Sequence, residues 1–151
     1  MNNRKILAVI LVLALIGVAD SSYALFQHYA PANTSSCDVN ETISCTAINQ
    51  SEYSVLFAVP VAALGIAGYI FMAALPSTML LRLIGQELAL LLLLAVSLVA
   101  TGFSLWLSYI EIFILRALCP LCVTSQTLTA AITVLALTAV LRRRHNRPAI
   151  L

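Results

Sequence analysis

Four long stretches of the chain are apolar at nearly every position, with neither the alternation of a strand nor a polar helical face. They run from Ile6 to Tyr29, Val55 to Leu75, Leu88 to Tyr109 and Cys119 to Leu141. A helix needs roughly 20 apolar residues to cross the hydrocarbon core of a bilayer, whereas the strands of a transmembrane barrel alternate over about 10 residues. The pattern therefore predicts an all-α integral membrane protein, a bundle of four transmembrane helices that forms a single domain over residues 1–151.

The sizeable polar segment of the chain, residues 30–54, lies between the first two spans and is predicted to be an extramembrane loop. Composition supports a membrane protein, since 62% of the 151 residues are hydrophobic and 9% are charged. The mean hydropathy of +1.01 lies far above the soluble globular range. The lipid bilayer is therefore a predicted partner of this apolar chain.

Most basic residues lie on one side of the predicted membrane. Seven of the eight precede the first span, separate the second from the third or follow the fourth: Arg4, Lys5, Arg82, Arg142, Arg143, Arg144 and Arg147. Because basic flanks stay in the cytoplasm, both termini are predicted to be cytoplasmic, and the 30–54 loop, Glu111 and Arg116 to lie outside. The membrane would be the inner (plasma) membrane, or the endoplasmic reticulum membrane in a eukaryote. This arginine pattern is the usual topological one and gives no indication of nucleic-acid binding.

The N-terminal span has an alternative reading. Basic residues, an apolar run to Ala19 and small residues near Ala24 also resemble a cleavable signal peptide. The apolar run continues past Ala24 to spanning length, which favours a helix that is retained. Asp20 lies inside this span, where an acidic side chain should face the bundle rather than lipid.

Four cysteines fall on the predicted outer side, Cys37 and Cys45 in the loop and Cys119 and Cys122 in a CPLC motif that opens the fourth span. This side is the oxidising one, so disulfides can form there. Four cysteines allow three pairings, and the spacing alone does not choose among them. Structural disulfides and a zinc site are alternative readings, although two close CxxC pairs would indicate zinc more strongly than a pair with seven intervening residues.

The CPLC motif indicates redox chemistry. With Cys119 near the N-cap and Pro120 in the first turn, both sulfurs lie at the positive end of a helix dipole, which favours thiolate. A thiolate attacks disulfides, and a low-pKa thiol is also a good leaving group. A second cysteine pair on the same side suggests a relay of electrons between the two pairs.

These residues resemble the vitamin K epoxide reductase family over nearly the whole chain. The resemblance rests on DSSYALFQHY at 20–29, CDVNETISC at 37–45, SEYSVLFAVPVAALGIAGY at 51–69 and the final CPLC. It also rests on their order, with a spaced cysteine pair in the first outer loop, Ser51 six residues after the second cysteine and CxxC on the last helix. The DsbB-type quinone reductases have the opposite order of cysteine pairs.

The resemblance implies a role for each cysteine. Cys37 resembles the thiol that faces the partner, Cys45 the shuttle, Cys119 its acceptor and Cys122 the thiol that reduces a bound quinone of the menaquinone, ubiquinone or vitamin K type. Three residues are predicted at the quinone: Ser51, Phe57 and Gln126. Gln126 stands where some members have a tyrosine, and Ala58 where many have glycine in an FGxP stretch.

The expected activity is a quinone-dependent thiol-disulfide oxidoreductase that supports disulfide formation. Many bacterial members carry a fused thioredoxin-like domain, which this sequence lacks. We therefore expect a separate thioredoxin-like partner of the DsbA type. The alternatives are reduction of vitamin K epoxide or quinone in a eukaryotic membrane and a non-enzymatic assembly factor or metal carrier.

Overall fold

Four long helices make up most of the protein. The computed structural model describes residues 3–31, 37–38 and 43–145. Within them, the long helices are α1 (Asn3–Tyr29), α3 (Val61–Leu80), α4 (Gln86–Ile110) and α5 (Pro120–His145). A turn of π-helix, Glu111–Leu115, extends α4, so the third candidate span is Gln86–Leu115. All four are long and apolar enough to cross a membrane, which confirms the predicted fold class.

The helices pack through narrow stripes, α1 against α3 and α5, and α4 against α5 and α3. The buried core includes Ile10, Ala14, Tyr69, Met72, Leu93, Ile132 and Ala136. Large apolar side chains are also exposed on every long helix, as expected for surfaces that face lipid. We call the end of the bundle that carries Tyr29, Val61 and Pro120 the cysteine end, and the end that carries His145 the arginine end.

Gly17 of α1 leaves room for the side chain of Tyr69 on α3. A Cβ atom at this position would overlap the aromatic ring of Tyr69 on α3. The Tyr69 hydroxyl in turn donates a hydrogen bond to the Ser125 carbonyl oxygen on α5, at 2.8 Å. This contact joins three helices about one helical turn beyond the CPLC motif, so it fixes the wall of the bundle beside that motif.

Short elements cover the cysteine end between α1 and α3. They are α2 (Cys45–Asn49), a 3₁₀ turn (Glu52–Ser54), and a hairpin of β1 (Val55–Leu56) and β2 (Val59–Pro60). The second span had been predicted to start at Val55, which is six residues too early. Residues 55–60 are apolar enough to extend the hydropathy signal, but they pair as strands, and Pro60 precedes the first turn of α3. The helix instead continues beyond Leu75 to Leu80.

The hairpin turn consists of Phe57 and Ala58, both with positive φ, at 50° and 64°. Two-residue turns of this kind match the twist of the paired strands, and they usually take Asn and Gly because other residues are strained there. Ala58 therefore occupies a position at which glycine would be less strained. The turn points Phe57 outward, with 93% of its surface exposed.

Candidate redox site

Backbone pairing brings the loop cysteines to the last helix. The segment before α2 forms a parallel bridge with the segment before α5, between Ile43 and Leu118. The Ser44 N–H donates to the Leu118 carbonyl oxygen at 3.2 Å. Cys45, the first residue of α2, is thereby placed beside Cys119. Their Sγ atoms lie 3.6 Å apart, and both side chains are 0% exposed.

The two cysteine pairs are in different redox states. Cys37 and Cys45 form a disulfide with a Cα–Cα separation of 5.7 Å, whereas Cys119 and Cys122 are free thiols. Sequence left the three possible pairings open, and this structure contains the pairing within the loop. Cys45 is thus bonded to one potential exchange partner and in contact with another, which is the arrangement that thiol-disulfide exchange requires.

Asp38 holds the loop disulfide against α2. Its carboxylate accepts hydrogen bonds from the Ser44 hydroxyl at 2.8 Å, the Thr46 N–H at 3.1 Å and the Thr46 hydroxyl at 2.5 Å. These bonds, those from Thr46 foremost, hold the pKa of Asp38 below its ordinary value. The residue next to Cys37 is therefore anchored beside the residues that flank Cys45.

Cys119 caps α5, as the CPLC sequence predicts. Its carbonyl oxygen accepts the Val123 N–H at 3.0 Å, and its sulfur accepts the Cys122 N–H at 3.4 Å. A hydrogen bond from the Cys122 thiol and others from backbone N–H groups lower the pKa of Cys119, which lies just before the spanning helix. Cys119 is therefore suited to exist as a thiolate or to leave as one.

Asn49, at the end of α2, lies beside the Cys119 thiol. The sequence did not predict this contact. Asn49 is buried, and its side-chain amide lies 4.0 Å from the Cys119 sulfur. The backbone carbonyl oxygen of Asn49 contacts the His28 ring on α1. An asparagine in a polar loop carries no sequence signal for this position, because the contact depends on how α2 packs on α5.

Glu111 is a second neighbour without an assigned role in the sequence. It begins the π-helical turn after α4 and is only 4% exposed. Its carboxyl group interacts electrostatically with Cys119 and Cys122, and Glu111 and Cys122 line the same cavity. The sequence placed Glu111 on the same side as the cysteines, but the irregular turn that aims it at them could not be read from helical spacing.

A cavity of about 590 Å³ opens beside Cys122. This volume lies within the range of about 300–1,000 Å³ typical of small-molecule sites. Most of its lining is apolar and comes from α3 and α4, including Val61, Leu64, Met72, Val96, Val99 and Phe103. Polar groups lie at the cysteine end, among them Ser51 and Glu111, while Asp20 reaches the cavity from α1. The arrangement suits a largely apolar ligand with one polar end.

The three predicted quinone contacts lie in different places. Ser51 lines the cavity, and its hydroxyl donates to the Ile48 carbonyl oxygen at 2.8 Å. Gln126 is not among the described lining residues. Its side chain accepts a hydrogen bond from Ser108, which does line the cavity. Phe57, at the exposed hairpin turn, is likewise not among the described lining residues. Ser51 and Cys122 thus line one cavity, and the other two predicted residues are not among its described lining residues.

Metal binding was an alternative reading of the cysteines. Over residues 3–31, 37–38 and 43–145, no three His, Cys, Asp or Glu side chains converge as ligands of one metal ion would. The four cysteines form a contact chain instead, in which Cys37 is bonded to Cys45, Cys45 touches Cys119, and Cys119 is hydrogen-bonded to Cys122. Such a chain is arranged for successive exchange between pairs.

Comparison with known proteins gives one family. The profile of the vitamin K epoxide reductase family matches residues 8–137, a range that includes all four cysteines and every long helix at least in part. A comparison with individual curated proteins found no match.

Proposed function

Because the chain belongs to the vitamin K epoxide reductase family, we propose that it passes electrons from thiols of a separate thioredoxin-like protein to a membrane quinone. Family members are oxidoreductases that couple thiols to a quinone or to vitamin K. The finer proposal is the direction, in which electrons enter at Cys37 and Cys45 and leave from Cys119 and Cys122, so that disulfides form in the partner. It is supported above all by the 3.6 Å contact between the sulfurs of Cys45 and Cys119.

The proposed relay consists of exchanges between thiolates and disulfides. The partner dithiol first reduces the Cys37–Cys45 disulfide, and the Cys45 thiolate then attacks Cys119 of an oxidised CPLC pair and expels Cys122. Cys37 next attacks Cys45, which restores the loop disulfide and leaves both helix cysteines reduced. The structure has this final pattern, a loop disulfide with Cys119 and Cys122 free. In the relay it is the state from which quinone is reduced.

The cavity supports the quinone step. Cys122 lines it at the cysteine end, while α3 and α4 supply an apolar lining that suits a quinone ring and its hydrocarbon tail. In this step the thiols of Cys119 and Cys122 lose two electrons and two protons, a disulfide forms, and the quinone becomes quinol. Ser51 lines the cavity, and its contact with quinone stays a prediction, as do those of Phe57 and Gln126.

Orientation in the membrane follows from the basic residues, and we propose that the cysteine end faces outward. In a variant with all four cysteines changed to alanine, a new cysteine at exposed Tyr53 should react with an impermeant maleimide on intact cells. A cysteine at exposed Leu83, in the α3–α4 loop, should react only after lysis. Labelling of position 83 on intact cells, with protection of position 53, would reverse the proposed orientation and the side on which the partner is met.

Purified protein tests the proposed activity directly. With reduced thioredoxin as the protein donor and a short-chain ubiquinone as acceptor, we expect one quinol for each thioredoxin disulfide formed, measured by quinone absorbance and thiol titration. The variant with four alanines is the control and should be inactive. Reduction of vitamin K epoxide but not quinone would favour the reductase alternative. Stoichiometric bound zinc without turnover of either substrate would favour a metal carrier.

A further inference from the structure

Glu111 is a buried acid in contact with the reacting thiols. It is 4% exposed at the end of the third spanning segment, where membrane-embedded carboxyl groups are costly and usually functional. The carboxyl group lies close enough to Cys119 and Cys122 to interact with both electrostatically, and Glu111 and Cys122 line the same cavity. Its backbone carbonyl accepts the Ala117 N–H at 3.2 Å, which helps hold the turn that aims the side chain. Glu111 is therefore fixed beside the sulfur atom that lines the cavity.

The surroundings give this carboxyl group no lysine or arginine partner among the described residues of the cavity. The other ionisable groups that line it are Asp20 and His28 of α1, Tyr53 of the 3₁₀ turn, Tyr69 of α3 and Cys122 of α5. An isolated carboxylate in an apolar setting is expensive unless it is hydrogen-bonded or takes up a proton. Among these groups, Cys122 carries the thiol proton that the quinone step must remove.

Reduction of a quinone in this cavity needs protons as well as electrons. Two S–H bonds break, the Cys119–Cys122 disulfide forms, the electron pair moves to the quinone, and each ring oxygen gains a proton. An apolar cavity excludes the water that would carry these protons in solution. A side chain that exchanges protons with both the thiol and the substrate removes this barrier.

We propose that Glu111 is the acid-base residue of the quinone step, taking the proton of the Cys122 thiol and delivering it to a quinone oxygen. Glu111 and Cys122 line the same cavity, so a ligand bound there would meet both the thiol and the carboxyl group. Glu111 relays the proton of the Cys119 thiol to the second quinone oxygen in the same way, so both thiol protons end on the product and Glu111 returns to its starting state. This assignment rests on the proposed quinone reductase activity.

Replacing Glu111 with glutamine keeps the size of the side chain but removes its ability to exchange a proton. Quinone reduction should slow by about 10²-fold to 10⁴-fold, the usual contribution of a positioned acid-base group. The loss should shrink as pH rises, because hydroxide replaces the missing base and the thiol ionises by itself. Glu111→Asp should recover part of the rate. Exchange between the loop disulfide and reduced thioredoxin should be unchanged in both variants, and it also reports correct folding.

Glu87→Gln is the matched control, since Glu87 lies exposed near the start of the same helix at the arginine end. It should reduce quinone at the wild-type rate. A Glu111→Gln rate within twofold of wild type at every pH would overturn the assignment. So would a loss that is independent of pH and equally large in Glu111→Asp, because Glu111 would then only position the thiols. Failure of the wild-type protein to reduce any quinone would instead refute the proposed function.

Discussion

Replacing Cys122 with alanine is expected to abolish quinone reduction while leaving the loop disulfide able to exchange with reduced thioredoxin. Cys122 lines the cavity, whereas Cys45 and Cys119 are fully buried beside each other. Delivery of an electron pair requires formation of the Cys119–Cys122 disulfide, and a single remaining thiol cannot form it. The rate of quinol formation should fall to that of the variant with four alanines, as measured by quinone absorbance.

Thr124→Ala is the control for this result. Thr124 lies in the same part of α5 but is exposed, and its hydroxyl bonds only to the Pro120 carbonyl oxygen within the helix, at 2.9 Å. Its loss should leave the rate of quinone reduction unchanged. Continued turnover by Cys122→Ala at the wild-type rate would show that another group reduces the quinone, and the direction assigned to the CPLC pair would be wrong.

The helices were predictable because each span is continuously apolar, and the third and fourth predicted spans differ from the observed helices mainly at their ends. The error at the second span has a physical cause. Hydropathy measures transfer into lipid, and residues 55–60 are apolar whether they form a helix or a hairpin. Pairing of Val55 with Pro60 depends on backbone geometry that an apolar run does not encode.

The part of the site that depends on the order and spacing of the cysteines could be predicted from the sequence. The CPLC motif predicts a capped helix start at Cys119, and the shared side of the membrane predicts that both cysteine pairs meet. The resemblance predicted Cys45, rather than Cys37, as the neighbour of Cys119, but spacing alone did not, because this contact depends on the bridge between Ile43 and Leu118. The loop pairing could be set only by the fold.

The position of Glu111 beside the thiols could not be predicted from residue spacing. Seven residues separate Glu111 from Cys119, and an uninterrupted helix would carry the chain onward along its axis rather than back to the thiols. The π-helical turn and a left-handed Arg116, with φ of 51°, reverse the chain within this interval. Phe57 is a different case, because the resemblance predicted it at the quinone and the hairpin turn exposes its side chain.

The order of the relay predicts what happens when its resolving thiol is removed. In the proposed cycle Cys45 attacks Cys119, and Cys37 then releases Cys119 by attacking Cys45. Cys37 is placed for this step because it bonds to Cys45 in the structure. Without Cys37, the Cys45–Cys119 bridge has Cys122 as its internal attacker, and attack by Cys122 only reverses the first step.

Cys37→Ala should therefore accumulate a disulfide between Cys45 and Cys119, sulfurs that already lie 3.6 Å apart and need little movement to bond. Non-reducing digestion and mass spectrometry should find the loop peptide joined to the CPLC peptide, with Cys122 free. Cys45→Ala is the matched control and should lack this joined peptide, because the attacking thiol itself is gone. If Cys37→Ala instead contains free Cys45 and still reduces quinone with thioredoxin at the wild-type rate, electrons reach Cys119 by a route that does not pass through Cys45 and then Cys37.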